Sequence, residues 1–178
     1  MNSIDKNQPE KNLEDLSSEQ AAKRVKEMIT DDNTCFFSTV GNVGRTHGTR
    51  PMSVLQADDD GTLWFMSASD SHKNIDITAD PSVSLHFKGS AHSDFLFLTG
   101  KASISTDRKK IDELWKPIIK TWFTEGKDDP RITVIKFIPT DGYYWDTKHG
   151  NIVAGLKMAI GALTGQTLDD SIQGKIKL

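Results

Sequence analysis

The sequence predicts a mainly β chain of the α+β class, a small antiparallel β-barrel with flanking helices. Three observations carry this expectation. Short β-rich runs at 35–40, 48–57, 62–67, 83–87 and 95–105 follow one another closely. Two of the gaps hold hairpin chemistry, Gly41-Asn42-Val43-Gly44 and Asp60-Gly61. Helical stripes then flank the runs, one before them and one after.

In chain order, residues 1–16 are rich in Asn, Lys, Glu, Asp and Gln and read as a flexible leader. A helix starts at Ser17, where Ser17 and Gln20 fit a capping box and Ala21, Ala22, Val25, Met28 and Ile29 recur at helical spacing. Asp31-Asp32-Asn33 ends it. The five β runs form an antiparallel meander, with Lys88-Gly89-Ser90-Ala91-His92-Ser93 as a longer connection. The clearest helix spans 106–123, with Ile111, Leu114, Trp115, Ile118, Ile119 and Trp122 on one stripe; Pro117 divides it into two short helices. Trp115 and Trp122 are therefore expected to pack in the core or a dimer contact. Lys127-Asp128-Asp129-Pro130 leads into an alternating strand at 132–138, and Gly142-Tyr143-Tyr144-Trp145 begins another. An apolar helix is expected at 152–163, with Gly165 near its end. The expected division is a leader at 1–16, one domain at 17–165 and a tail at 166–178.

A length of 178 residues fits one domain with a proper core. The formal net charge of -3 gives no general attraction for nucleic acid or an anionic membrane. The stretch 152–163 is too short to span a bilayer and is interrupted by Lys157, and the polar start has no signal-peptide core, so a cytoplasmic protein is expected. Cys35, the single cysteine, sits between apolar residues and reads as a core residue. The five histidines show no zinc-like pairing, and Asp58-Asp59-Asp60-Gly61 lacks the glutamate of a calcium loop, so no metal site is expected. Neither a Gly-x-Ser-x-Gly elbow nor a Walker phosphate loop is present.

Chemistry concentrates between Arg45 and Asp80. The buried-strand pattern Leu63-Trp64-Phe65-Met66 runs into Ser67-Ala68-Ser69-Asp70-Ser71-His72-Lys73 and a short helical segment. Hydroxyls, a cation and the N–H groups of a helix start suit a phosphate. Serine-rich turns also cap helices without any ligand, and that reading stays open for this segment alone. Arg50, on the preceding strand, supplies a second cation. An alternative pairs the two cations with carboxylates such as Asp70, which would leave a structural dimer with an empty site.

Arg50-Pro51-Met52, then Leu63-Trp64-Phe65-Met66-Ser67, then Ser71-His72-Lys73 and Asp80-Pro81-Ser82-Val83-Ser84-Leu85 resemble the FMN-binding core of the pyridoxamine 5′-phosphate oxidase-like split-barrel family. Trp115-Lys116-Pro117, Trp122-Phe123, Gly126-Lys127-Asp128-Asp129-Pro130 and Tyr143-Tyr144-Trp145 are similar to its bacterial general stress protein subgroup. The resemblance implies an antiparallel split β-barrel of FMN-binding type. It implies that Lys73 binds the FMN phosphate, with Ser67 at the strand end, Ser71 in the same turn, and His72 where the oxidases carry an arginine. Arg50 would start the second strand of the flavin site, with Pro51 and Met52 presenting backbone to the ring. Trp145 would approach the flavin from the partner subunit, so a homodimer with the site at its interface is implied. After that tryptophan the oxidases continue Arg-Leu-His-Asp-Arg, whereas this chain has Asp146-Thr147-Lys148-His149-Gly150. That departure weighs against oxidation of pyridoxamine phosphate and leaves Lys148 and His149 either for another anionic substrate or in a solvated loop. The implied function is a flavin-dependent oxidoreductase acting on a small molecule, with reduced nicotinamide as the donor; the alternative is a protein that stores or senses flavin without turnover.

Overall fold

The computed structural model describes residues 12–29, 34–40, 48–88, 95–149, 156–157, 159–160 and 170–178. β1 (Leu16–Ser17) leads into α1 (Ser18–Met28), followed by β2 (Thr34–Thr39), β3 (Thr49–Ser53), β4 (Gln56–Ala57) and β5 (Leu63–Ala68). After α2 (His72–Ala79) come β6 (Ser82–Lys88), β7 (Phe95–Ser105), α3 (Arg108–Leu114), β8 (Ile132–Thr147) and β9 (Ser171–Lys177). The hairpin signal at 41–44, the loop 89–93 and most of the helix expected at 152–163 lie outside the described residues; Leu156, Lys157, Ala159 and Ile160 are helical.

The pairing runs β3-β2-β6-β7-β8-β5-β4, antiparallel throughout. β3 and β4 are joined through Val54-Leu55, so the chain itself completes the circuit, and the fold is a split β-barrel with flanking helices. β8 changes partner along its length within the one sheet. Its first half pairs with β5 and its second half leaves the barrel to pair with β9. The two strands expected at 132–138 and from Gly142 are thus one. The irregularity that re-aims it lies between Thr99 and Gly100, opposite Pro139, a residue with no N–H to give the ladder. A side chain at Gly100 would meet the Ile138 carbonyl at 2.1 Å, so only glycine lets the strands approach there.

Alternation fills the barrel. Phe37, Leu63, Phe65, Leu85, Leu98, Ile135 and Phe137 are fully buried in one core, and α1 adds Ala21 and Val25 to it. Phe37 and Phe65 meet edge to face at 5.3 Å, and truncating such a ring typically costs about 3–5 kcal/mol. A second apolar cluster, built from Ile111, Leu114, Ile119, Phe123, Ile132 and Val134, covers the other face of β5 and β8. Burial on both faces explains why Ile132, Thr133, Val134 and Ile135 are all buried where alternation was expected.

Several sequence expectations are corrected. Pro117 does divide the 106–123 segment, but its second piece is a 3-10 turn over Pro117–Thr121 with a different period, which rotates Trp122 off the apolar stripe to 67% exposure. Trp115 packs on the second cluster. The Ser17 side chain makes no capping bond; its residue instead pairs with Lys177 in the parallel β1–β9 ladder. The segment read as a tail at 166–178 contains β9, and the end of the leader, Leu13 and Leu16, pairs with that strand. Neither pairing is visible locally, because each joins residues at opposite ends of the chain.

Candidate functional site

Three groups of functional side chains are held by this frame. The first lies where α2 crosses the inner ends of β2 and β3. Arg50 pairs across the ladder with Phe37 and faces inward. Its Nη1 donates to Thr39 Oγ1 at 2.9 Å and its Nη2 lies 3.4 Å from Asp76 Oδ2. Thr39 donates in turn to the same buried carboxylate at 2.7 Å. Asp76 on α2, not Asp70, is therefore the partner of Arg50, while the charge of Asp70 acts on Arg131. Lys73 differs. It is half-buried, and among the described residues no hydrogen bond or ion pair engages its ammonium. Burial first, and the Arg50 charge second, push it below the ordinary lysine range.

The serines beside it are engaged. Ser67 Oγ, in a buried residue, shares a hydrogen bond with Ser71 Oγ at 2.9 Å, and Ser71 accepts from the Asn74 backbone N–H at 3.4 Å as the N-cap of α2. Thr133 Oγ1 donates to the Ser67 carbonyl at 2.8 Å and accepts from Asn74 Nδ2 at 2.9 Å. The capping role of this turn is thus realised around Ser67 and Ser71. His72 is exposed at the first position of α2.

The second group is a row of apolar rings on the outer face of the sheet. Register places Pro51 beside Phe36, Phe36 beside His86, His86 beside Phe97, and Phe97 beside Tyr143, so five strands each contribute one residue to a single line. His86 and Phe97 rings lie 4.7 Å apart, Tyr143 and Trp145 rings 4.5 Å apart. Phe36 is 61% exposed and Trp145 43%. A cavity of about 490 Å³ opens here, lined by Phe36, Pro51, His86, Phe95, Phe97 and Trp145 among others. Pro51 and Trp145 therefore share one groove, whereas Arg50 and Met52 project to the opposite side of β3, Met52 against the core. Alternation in Thr34-Cys35-Phe36-Phe37-Ser38 carries the signal of an outward phenylalanine, but only register reveals the row.

The third group closes the far end of β8 and β9. Asp170, its side chain fully buried, accepts from His149 Nδ1 at 2.7 Å, from the His149 backbone N–H at 3.0 Å and from Lys157 Nζ at 2.7 Å. Burial alone would raise this carboxyl, but the hydrogen bonds from Lys157 and His149 outweigh it and hold the group down at about 2. Lys148 Nζ reaches Asn12 Oδ1 at 2.8 Å. His149 and Lys148 thus each hold a hydrogen-bonded partner, while the His149 side chain stays 54% exposed. Among the described residues no group of three or more His, Cys, Asp or Glu side chains is arranged to hold a metal, and no helix is long and apolar enough to cross a membrane.

The architecture is that of a split-barrel protein with helices packed on an antiparallel sheet. The chain belongs to the pyridoxamine 5′-phosphate oxidase like family, whose sequence profile matches residues 20–169. It is 28% identical over 165 residues to protein bli-3 of Neurospora crassa, covering 86% of this chain and 74% of that one. Its structure is similar to that of a candidate general stress protein 26 from Jannaschia sp. CCS1, with a TM-score of 0.71 and 27% identity over 85% of this chain and 94% of the other. It is also similar to a general stress FMN/FAD binding protein from Xanthomonas citri, with a TM-score of 0.56 and 25% identity over 70% and 84% of the two chains.

Proposed function

We propose that the protein is an FMN-binding general stress protein that works as a homodimer, with the flavin held between subunits. The observation that carries this is Lys73: a half-buried ammonium beside a second cation, with no counter-charge bonded to it among the described residues. Such a group is costly unless an anion completes it, and the phosphate of FMN supplies two charges and several acceptor oxygens. Arg50 would share that phosphate while remaining fixed by Asp76 and Thr39. The flavin-binding description of the Xanthomonas citri protein supports the choice of ligand.

The exposed ring row supports the dimer, because contiguous apolar surface of this kind is normally covered. In the same reading Trp145, half-exposed on this face, approaches the flavin of the partner subunit. The flavin would supply the redox chemistry, with the chain binding and orienting it. A cytoplasmic setting, reduced nicotinamide as donor and a small-molecule acceptor belong to the same reading. A second reading, a flavin carrier without turnover, is favoured by the lining of the groove, where Lys88 is the single lysine or arginine among the described residues. Titrating the protein with FMN while following flavin fluorescence, together with sizing in solution, tests the proposal. Saturable quenching by a dimer is expected; unquenched flavin at tens of micromolar protein, or a monomer that binds FMN fully, would overturn it.

A further inference from the structure

We infer that Asp76 is a positioning residue: together with Thr39 it holds the Arg50 guanidinium in place for a phosphate monoester, and so makes the site select phosphorylated over unphosphorylated flavin. The inference rests on the flavin reading and deepens it. An arginine on a strand has many rotamers, and fixing it at the moment of binding costs affinity. Arg50 is fixed beforehand. Its Nη1 donates to Thr39 Oγ1 at 2.9 Å and its Nη2 lies 3.4 Å from Asp76 Oδ2. Thr39 Oγ1 donates to that same oxygen at 2.7 Å, closer than its contact with the Gly48 carbonyl at 3.1 Å. One carboxylate oxygen thus gathers β2, β3 and α2 around the guanidinium.

Burial assigns the roles. The Asp76 side chain is 4% exposed and the Arg50 side chain 23%, so an incoming anion meets the guanidinium and not the carboxylate. The two contacts leave the guanidinium with further N–H groups to offer. The same helix carries the other cation. Lys73 stands less than one turn before Asp76 on α2, and the Arg50 charge acts on it directly. Lys73 makes no ion pair with Asp76 among the described residues. Both cations are therefore set by one rigid element, Lys73 by growing from α2 and Arg50 by being bonded to it.

Charge alone predicts the opposite effect. The carboxylate offsets one of the cations, Lys73 and Arg50, that would face the phosphate, so at fixed geometry its loss would tighten binding. Orientation works the other way. Charge-assisted N–H contacts to phosphate depend on direction, and a released guanidinium gives them up. The sign of the effect on affinity therefore separates a positioning role from a purely electrostatic one.

The test titrates the full chain with FMN and with riboflavin, which lacks the phosphate, following flavin fluorescence in wild type, Asp76→Asn and Thr39→Val. Expected for Asp76→Asn is an FMN Kd raised roughly 10-fold, with riboflavin affinity within about twofold of wild type. Thr39→Val, which removes the bridging hydroxyl with little change of shape, should raise the FMN Kd about threefold with the same selectivity. With Arg50→Gln already in place, Asp76→Asn should change the FMN Kd by less than about twofold, because no guanidinium is left to aim. Nitrogen NMR of the flavin-free protein should show an Arg50 guanidinium restricted in wild type and mobile in Asp76→Asn. Tighter FMN binding by Asp76→Asn, equal losses for FMN and riboflavin, or a freely rotating Arg50 in wild type overturns the inference while leaving the flavin reading intact. Should Asp76→Asn not fold, Thr39→Val decides, and unchanged FMN affinity there overturns the inference. Failure of the wild-type protein to take up FMN sinks the flavin reading itself, and this inference with it.

Discussion

Replacing Lys73 should move ligand affinity and stability in opposite directions. In Lys73→Met the apolar stem is largely kept and the ammonium is lost. A phosphate deprived of one charge-assisted contact loses about 1.5–3 kcal/mol, which is roughly a 13- to 160-fold rise in the FMN Kd. Binding should weaken without vanishing, because Arg50 remains in place on Thr39 and Asp76. The flavin-free protein should behave the other way. Its Lys73 is desolvated, repelled by Arg50 and engaged by no partner among the described residues, so removing the charge relieves a cost. A gain of about 1 kcal/mol is expected, or roughly 2–4 °C in Tm for a chain of this size. The pH dependence has a definite sign. A lysine held below its ordinary value binds its proton less tightly folded than unfolded, so its contribution to stability improves as pH rises through the folded value toward the ordinary one. That slope should disappear in Lys73→Met. Fluorescence titration gives the affinity and thermal melting without flavin gives the stability. Unchanged FMN affinity, or a Tm that falls in the flavin-free variant, would refute the reasoning.

Asp170→Asn breaks a buried carboxylate away from Lys157 and His149 and should cost about 3 kcal/mol, or roughly 6–12 °C in Tm. Because the carboxyl is held at about 2, that stabilisation is complete above the ordinary carboxylate value near 4 and is lost between there and about 2, so the wild-type and variant acid melting curves should converge in that window. Gly174→Ala places a Cβ 1.7 Å from the Glu14 carbonyl; peeling of the segment before α1 should appear as faster amide exchange there, with the barrel core unchanged. Cys35, whose thiol burial pushes up to about 12, should resist thiol reagents in the native protein and react on unfolding; rapid native labelling would contradict its placement. If the proposed dimer forms through the ring row, Phe36→Asp, in its middle, should give a monomer on sizing while leaving the far-ultraviolet spectrum intact.

The short strands, the hairpin at Asp60-Gly61, the helix broken at Pro117 and the cations Arg50 and Lys73 were legible in the sequence because each rests on a local signal: alternation, turn residues, a period near 3.6, a residue type beside a cap. The expected meander order is corrected, because β2 pairs with β6 and β5 with β8, and the run 48–57 divides into β3 and β4. What Arg50 pairs with was not legible either. Asp76 lies 26 positions away and meets it only when α2 folds back over β2. The row from Pro51 to Tyr143 exists only in the register of five strands, and a slip of one residue would bury it. His149 and Asp170 stand 21 residues apart and are brought together by the last step of the β8–β9 ribbon. By itself the sequence determined where most of the barrel strands and the helices before and after them lie and which residues carry charge, but not β9, which lacks a local signal and exists only through its pairing with β8. Only the tertiary structure decided which charges are matched, because partner and burial depend on packing between segments distant along the chain; it left Lys73 without a partner among the described residues and bound Asp170 three times over.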